Sequence, residues 1–146
     1  MHRDSLKLAI LSAACCGIFL GAADAQLNPY SAKELPPAAK NVHVRITQGP
    51  ELEMANNNLA IIRWTSNNPG GSDEHFGVVH YGTTPTQLSD TAKSPIRLNR
   101  NHADTVFRVR LSGLTPRTTY FYTVDSMEGA GASDGVKCAV RHFTTP

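Results

Sequence analysis

Hydrophobic and polar residues alternate along several short stretches of this chain, with the period of two that is typical of a half-buried β-strand. The alternation is clearest at residues 59–65 and 105–111. The side chains predicted to face the core in these two strands are Ala60, Ile62, Trp64, Phe107, Val109 and Leu111. Outside the first 25 residues no stretch sustains the 3.6-residue period of a helix, so the pattern predicts an all-β fold.

Five weaker stretches complete the set of predicted strands. They are residues 42–46, 75–81, 86–95 (as a short edge strand or a loop), 120–124 and 136–143. Nine prolines and eleven glycines supply turns between the segments. Seven short segments separated by turn signals predict a seven-stranded, immunoglobulin-like β-sandwich.

The inward faces of the weaker strands also follow from the alternation, with one ambiguity. The predicted inward residues are Val42, Val44 and Ile46 in the first, Tyr120, Tyr122 and Val124 in the sixth, and Val136, Cys138 and Val140 in the last. For residues 75–81 two faces are open, either Val79 with Tyr81 or Phe76 with Val78. Phe143 breaks the parity of the last strand, which a β-bulge near its end would explain.

The first 25 residues have the composition of a secretory signal peptide. Arg3 and Lys7 precede a mostly apolar stretch over residues 8–23, and Ala23-Asp24-Ala25 fits the small-x-small cleavage pattern. The apolar stretch is shorter than the roughly 20 residues that a membrane-spanning helix needs. We therefore predict a secreted or periplasmic protein that contacts the membrane only through the uncleaved signal.

The three cysteines divide between the signal and the mature domain. Lipidation of Cys15 or Cys16 is the less favoured alternative, because Ser12 and Ala13 stand where lipidation signals usually carry an aliphatic residue. Cys138 alone remains after cleavage, and a buried thiol on a strand is favoured over pairing between chains. Residues 26–41 are rich in proline and alanine and are predicted to form an extended linker before a domain at residues 42–146.

Charge and motifs give little support to a catalytic or nucleic-acid-binding function. The net charge is +2 and no basic run occurs, which argues against a nucleic-acid partner. Metal sites need three or four converging ligands, whereas five histidines are scattered along the mature chain. They are His43, His75, His80, His102 and His142. The cluster Asp73-Glu74-His75 is favoured as a solvated loop over a weak cation site.

The sequence Gly-Ala-Ser-Asp-Gly at residues 131–135 has the spacing of a nucleophile elbow. Such an elbow joins a strand to a helix, and no helix is predicted to follow. No catalytic, cofactor-binding or metal-binding residue is therefore predicted.

Two sets of residues are candidates for a binding surface. The loops at 66–74 and after Val124, residues 129–135, are expected at the same end of the sandwich, where binding usually resides on such scaffolds. The second set consists of four arginines, Arg97, Arg100, Arg108 and Arg110. These arginines either form a basic face for an acidic partner or guard the sheet edges, and the guarding role is favoured.

One motif near the end of the chain resembles the fibronectin type III family. It is Leu114-x-Pro116-x-Thr118-x-Tyr120-x-Tyr122-x-Val124, and Trp64 on an earlier strand belongs to the same pattern. In that family the leucine fills the core and the proline sets a corner. The tyrosine hydroxyl bonds back to the backbone, an arrangement called the tyrosine corner, for which Tyr120 is the matching position.

A narrower resemblance, over residues 42–146, is to the N-terminal domain of purple acid phosphatases. It rests on Val79-x-Tyr81-Gly82, on the run from Leu114 to Tyr122, and on the closing Phe143-Thr144-Thr145-Pro146. In those enzymes this sandwich precedes a dinuclear metallophosphatase domain. The resemblance implies metal ligands in Asp-x-Gly, Gly-Asp, Gly-Asn-His and Gly-His-x-His motifs, and none of these has a match here. No phosphatase residue is carried over to this chain.

These observations predict an exported, non-catalytic fibronectin type III-like module that acts in binding, adhesion or spacing. Its expected partner is a protein or a polysaccharide, and no cofactor is expected. The alternative is an accessory domain of a purple acid phosphatase-like metallophosphatase, with the catalytic domain missing or on a separate chain.

Overall fold

The computed structural model describes residues 39–136 and 138–146. The predicted signal peptide and nearly all of the predicted linker lie outside the described residues. The described part forms seven strands and contains no helix. The strands are β1 (Ile46–Asn56), β2 (Leu59–Asn67), β3 (Glu74–Gly82), β4 (Asp90–Arg97), β5 (Asp104–Ser112), β6 (Thr119–Glu128) and β7 (Arg141–Thr144).

The strands form two antiparallel sheets that pack face to face. One sheet has the order β1-β2-β5 and the other has the order β4-β3-β6-β7. Every pair of neighbouring strands is antiparallel. The prediction of an all-β, seven-stranded, immunoglobulin-like sandwich is therefore confirmed.

The core lies between the sheets and is built from the alternating residues that the sequence singled out. The six side chains of β2 and β5 that were predicted to face inward are all at most 1% exposed. Trp64 and Phe107 stack with their ring centroids 5.1 Å apart. Gly77 lies opposite them on β3, where a Cβ would come within 3.1 Å of both rings, so the Trp64 and Phe107 rings occupy the space that a side chain would need.

The ambiguity in β3 is resolved in favour of Val79 with Tyr81. Val79 is fully buried in the main core cluster, and Tyr81 packs against that cluster. Val78 is also fully buried, but it points away from this cluster because successive side chains alternate across a sheet.

The prediction for the first strand is wrong in its secondary structure and for Val42, although Val44 is buried and Ile46 packs against the core as predicted. Residues 42–45 are not in a strand, and Val42 is 85% exposed. The reason is a competing side chain, because Asn67 binds this backbone in place of a sheet neighbour. Its Oδ1 accepts from the Arg45 amide at 2.7 Å, and its Nδ2 donates to the His43 carbonyl at 3.0 Å. The true β1 passes through Gly49-Pro50 with shifts of register on either side.

The last strand is shorter than predicted, and Val140 does not face the core. β7 begins at Arg141, and Val140 is 46% exposed. Residues 138–140 are not in the sheet, because the Cys138 thiol rather than a backbone carbonyl accepts the Val124 amide at 3.2 Å. Phe143 points into the core and stacks on Tyr120 with a centroid distance of 5.7 Å.

The fourth segment is an edge strand that lies later in the chain than predicted. It runs over Asp90–Arg97, whereas the predicted segment covered residues 86–95.

Candidate functional site

The sandwich has two ends of different character. We call the first the loop end, and it comprises the segment 39–45 and the loops 68–73, 98–103 and 129–135. We call the second the corner end, and it comprises residues 113–118 and the terminal pair 145–146. The Gly129 amide donates to the Glu74 carbonyl at 2.8 Å, and β3 follows directly after the loop 68–73. The prediction that this loop and the glycine-rich loop share one end is therefore confirmed.

Side-chain amides hold the loop end together. The Nδ2 of Asn68 donates to the carbonyls of Asn99 and His102 at 2.9 and 2.8 Å. The Asn68 backbone amide donates to the Ala103 carbonyl at 2.8 Å, so the loops 68–73 and 98–103 are bound to each other. The Asn41 amide donates to the Pro69 carbonyl at 2.7 Å and attaches the segment 39–45 to the same surface.

Two glycines make this close approach possible. Gly70 and Gly71 have φ of 65° and 78°, in the left-handed region that disfavours other residues. A Cβ on Gly70 would collide with the carbonyl oxygen of Ala39, and a Cβ on Gly71 would collide with Oε1 of Glu128. The glycine pair therefore lets the loop 68–73 lie directly against both neighbours.

Asp73 carries an ion pair at the rim of the loop end. Its carboxylate accepts from Nε of Arg100 at 2.5 Å, and Nη2 of Arg97 lies 3.9 Å away. The hydrogen bond from Arg100 is the main reason that the pKa of Asp73 is lowered, with the charges of Arg100 and Arg97 acting in the same direction. A shallow depression lies beside this pair, lined by Asp73, Glu74, Pro95, Ile96 and Arg97.

The Asp73-Glu74-His75 cluster is not a group of converging ligands. Asp73 turns to the arginines, whereas His75 is fully buried on the inward side of β3. The expectation of a solvated loop is therefore correct for Asp73 and wrong for His75. The loop itself ends at Asp73, and Glu74 and His75 already belong to β3.

A buried polar cluster lies beneath the loops, with the Asp134 carboxylate at its centre. Oδ2 of Asp134 accepts from the Ser126 hydroxyl at 2.7 Å and lies 3.6 Å from Nε2 of His75. Oδ1 lies 3.8 Å from Nζ of Lys40, which also pairs with Glu128 at 3.2 Å. The side chains of His75 and Asp134 have no exposed surface.

This cluster contains serine, histidine and aspartate but is not arranged as a catalytic triad. In a triad the histidine accepts the proton of the serine hydroxyl, whereas here Ser126 donates to the aspartate instead. Ser126 is also fully buried, so no substrate reaches its hydroxyl. The serine of the elbow-like sequence, Ser133, donates its hydroxyl to Oδ2 of Asp125 at 2.7 Å. Within residues 39–136 and 138–146 no three histidine, cysteine or carboxylate side chains converge as metal ligands.

The four arginines separate into two pairs rather than forming one basic face. Arg97 and Arg100 flank Asp73 at the loop end. Arg108 lies on the outer face of the three-stranded sheet, where its Nε contacts the Glu53 carboxylate at 2.9 Å. The favoured role of Arg108 and Arg110 as guards of a sheet edge agrees with their position on β5, the last strand of that sheet.

The corner end is held by the two sequence motifs that carried the resemblance. The Thr115 amide donates to the Tyr120 hydroxyl at 2.9 Å, which is the predicted tyrosine corner. The hydroxyl of Thr145 donates to the Thr115 carbonyl at 2.6 Å and accepts from the Thr118 amide at 3.0 Å. The Arg117 amide donates to the Pro146 carbonyl at 3.1 Å. The closing residues of the chain are therefore fixed in the corner.

Sequence reasoning missed most of the residues that organise the loop end. These residues are Lys40, Asn41, Asn67, Asn68, Ser126 and Asp134. The run Asn67-Asn68-Pro69-Gly70-Gly71 was visible as a turn signal, but a turn signal does not say which distant backbone the amides will reach.

The fold and the corner define the class of this protein, which is a fibronectin type III-like sandwich. The family profile described as "Purple acid Phosphatase, N-terminal domain" matches residues 39–145. The chain therefore belongs to the family of purple acid phosphatase N-terminal domains. This is the non-catalytic domain of those enzymes, and the match includes no catalytic domain.

Comparison with solved structures gives weak similarities to other proteins. The sensor domain of the anti-sigma factor RsgI4 from Pseudobacteroides cellulosolvens is 17% identical in its solution structure, with a TM-score of 0.46, covering 72% of this chain and 75% of that one. A short form of the same sensor domain is 16% identical, with a TM-score of 0.44, covering 70% of this chain and 92% of that one.

A glycosyl hydrolase family 2 member from Bacteroides cellulosilyticus is 6% identical, with a TM-score of 0.41 over 72% of this chain and 14% of that one. Likenesses this distant carry no information about function. No curated protein matches this sequence. Among the described residues, no helix is long and apolar enough to cross a membrane.

Proposed function

We propose that this chain is an exported, non-catalytic module that binds a protein or polysaccharide partner through its loop end. The observation that carries the proposal is the preorganisation of that end. Segments far apart in the sequence are joined there by Asn41, Asn68 and Asp134 into one surface. A surface that is already ordered loses less conformational entropy when it binds, which favours affinity.

The positions of the first and last residues of the described sandwich support an additional role in spacing. Asn41 is bound at the loop end, whereas Pro146 is bound at the corner end. β6 runs between the two ends with 10 residues, which span roughly 33 Å at about 3.3 Å per residue. Domains or partners attached at these two opposite ends would be separated by the length of the sandwich. Export rests on the predicted signal peptide.

Binding to insoluble polysaccharides and to candidate partner proteins, with residues 26–146, tests the role of the loop end. Arg97 is a suitable probe because its side chain is 87% exposed beside the depression. We expect Arg97→Gln to weaken binding and Arg110→Gln, an exposed arginine on the outer face of the other sheet, to leave it unchanged. Loss of binding in the second variant alone would move the binding face to the three-stranded sheet.

Family membership favours a second candidate, an accessory domain for a purple acid phosphatase-like metallophosphatase. A phosphatase assay on residues 26–146 with iron and zinc supplied tests whether this domain has activity of its own. We expect no turnover above the blank. Turnover that disappears with a chelator would contradict the non-catalytic proposal. A metallophosphatase domain encoded downstream of Pro146 would favour the accessory role over independent binding.

A further inference from the structure

His75 has an environment that is unusual for a buried polar side chain. It is the first inward-facing residue of β3 and is fully buried. Neither of its ring nitrogens makes a hydrogen bond within the described part of the chain. Buried polar groups are nearly always hydrogen-bonded, so an unpartnered imidazole calls for a physical account.

The nearest charged atom gives that account. Oδ2 of Asp134 lies 3.6 Å from Nε2 of His75, just beyond hydrogen-bonding distance, and both side chains have no exposed surface. A proton on His75 converts this contact into an attraction between opposite charges, and a buried pair is screened much less than a surface pair. The contact therefore depends on the protonation state of His75.

Protonation of His75 also changes the net charge of the buried cluster. Counted over the described residues, the cluster contains the carboxylates of Asp134 and Glu128 and the ammonium of Lys40, which leaves one excess negative charge when His75 is neutral. Protonation of His75 cancels that excess. The remaining carboxylates of this end have other partners, since Asp73 pairs with Arg100, and Asp125 accepts from Ser133. Glu74, beside His75 on β3, is exposed.

Within residues 39–136 and 138–146, no other element adds a charge next to His75. The opposite sheet contributes only uncharged inward side chains at this level, which are Trp64 and Ser66 from β2 and Thr105 and Phe107 from β5. Asp104, at the start of β5, is exposed. On the other side of β3, the residue of β4 that pairs with His75 is Ile96.

Asp134 belongs to the loop 129–135 and connects it to the rest of the domain. Its amide donates to the Ser126 carbonyl at 2.8 Å, and its carboxylate contacts Ser126 on β6 and approaches His75 on β3 and Lys40 before β1. We propose that the His75–Asp134 pair is a proton-dependent latch that holds the loop 129–135 against β3 and β6. Since the proposed function assigns binding to this end, the latch would regulate that site.

The sign of the effect follows from the charges. Below the titration midpoint of His75, its charged ring attracts Asp134 and the loop is held. As the pH rises through that midpoint the ring loses its charge and the latch weakens.

The test uses NMR on residues 26–146 without any ligand. We expect the loop amides to titrate with the same midpoint as the His75 ring. The protection factors of residues 132–134 should be at least about threefold higher below that midpoint than above it. In His75→Gln this titration of the loop should vanish, and in His102→Gln, an exposed histidine at the same end, it should persist.

Several results would overturn the latch. One is a loop that does not titrate in the unmodified protein, which needs no variant to fold. Another is greater protection above the midpoint than below it, and a third is an unchanged loop titration in His75→Gln. None of these measurements involves a partner. A loop that titrates in a protein that binds nothing would therefore reject the proposed function and retain the latch.

Discussion

The corner end and the loop end are ordered by different means. At the corner end, Leu114 and Tyr120 are 5% and 7% exposed, and a short run of sequence supplies both the apolar contacts and the hydrogen bonds. At the loop end, half-exposed amides and charged side chains join segments as distant as Asn68 and His102. The corner should therefore open only with global unfolding, whereas the loop end should open locally at lower free energy.

The largest effect is expected from Leu114→Ala at the corner. Truncating a buried leucine removes apolar contacts and leaves a cavity, which should lower the free energy of unfolding by about 2–5 kcal/mol. Urea denaturation measures this change. The control is Val140→Ala, because Val140 is 46% exposed and its truncation should cost about 0.5 kcal/mol or less. Equal losses of unfolding free energy in the two variants would show that Leu114 contributes no more to stability than an exposed residue does.

Thr145→Val tests whether the chain terminus is an integral part of the corner. Valine keeps the shape of threonine, but the Thr115 carbonyl and the Thr118 amide each lose a partner. Leaving buried groups unsatisfied should cost about 1–3 kcal/mol. Thr144→Val is the matched control, since the Thr144 hydroxyl bonds only the exposed Thr119 hydroxyl among the described residues. A larger loss in the control would contradict the arrangement of the corner.

The contrast between the two ends also explains what the sequence can predict. The inward faces of β2, β5 and β6 follow from alternation because each side chain of a strand points to a fixed side. The tyrosine corner follows from a local motif, in which Tyr120 reaches a residue only five positions away. The candidate site does not follow in this way. Which backbone Asn68 binds depends on how two sheets bring distant loops together.

The errors in the strand assignments have the same origin. Residues 42–46 alternate correctly for a strand, yet Asn67 binds their backbone from 22 residues away. The Cys138 thiol similarly takes the place of a carbonyl next to β6. Periodicity indicates which residues are suited to a strand. It does not indicate whether a side chain distant in the sequence will form hydrogen bonds with the same backbone groups.

Asn68→Ala is the equivalent test at the loop end. The variant removes two donated hydrogen bonds and one accepted from Gly70, and water replaces part of them because Asn68 is only half-buried. We expect a loss of about 1–2 kcal/mol. The exchange rates of backbone amides should increase most in the loops 68–73 and 98–103. Asn101→Ala, an exposed asparagine in the loop 98–103, should have little effect. Equally increased exchange at the corner would argue against local opening.

Tyr120→Phe removes one hydrogen bond and keeps the ring that stacks on Phe143. The loss should be about 0.5–1.5 kcal/mol, the typical contribution of a single hydrogen bond. Thr123→Ala on the same strand, which points away from the core, should cost less. A loss in the control that matches Tyr120→Phe would mean that the corner hydrogen bond has no special importance.

The smallest effect concerns the pH dependence of the rim of the loop end. Because the Arg100 hydrogen bond lowers the pKa of Asp73, the ionised pair stabilises the fold above the ordinary range of an aspartate. This contribution is lost as the pH falls through the lowered pKa. In Arg100→Gln the pKa of Asp73 should rise toward its ordinary value, as measured by the carboxyl carbon shift in NMR. Arg110→Gln should leave it unchanged. An unchanged Asp73 titration in Arg100→Gln would show that the rim pair does not persist in solution, and the loop end would then be held by its amides and the buried cluster alone.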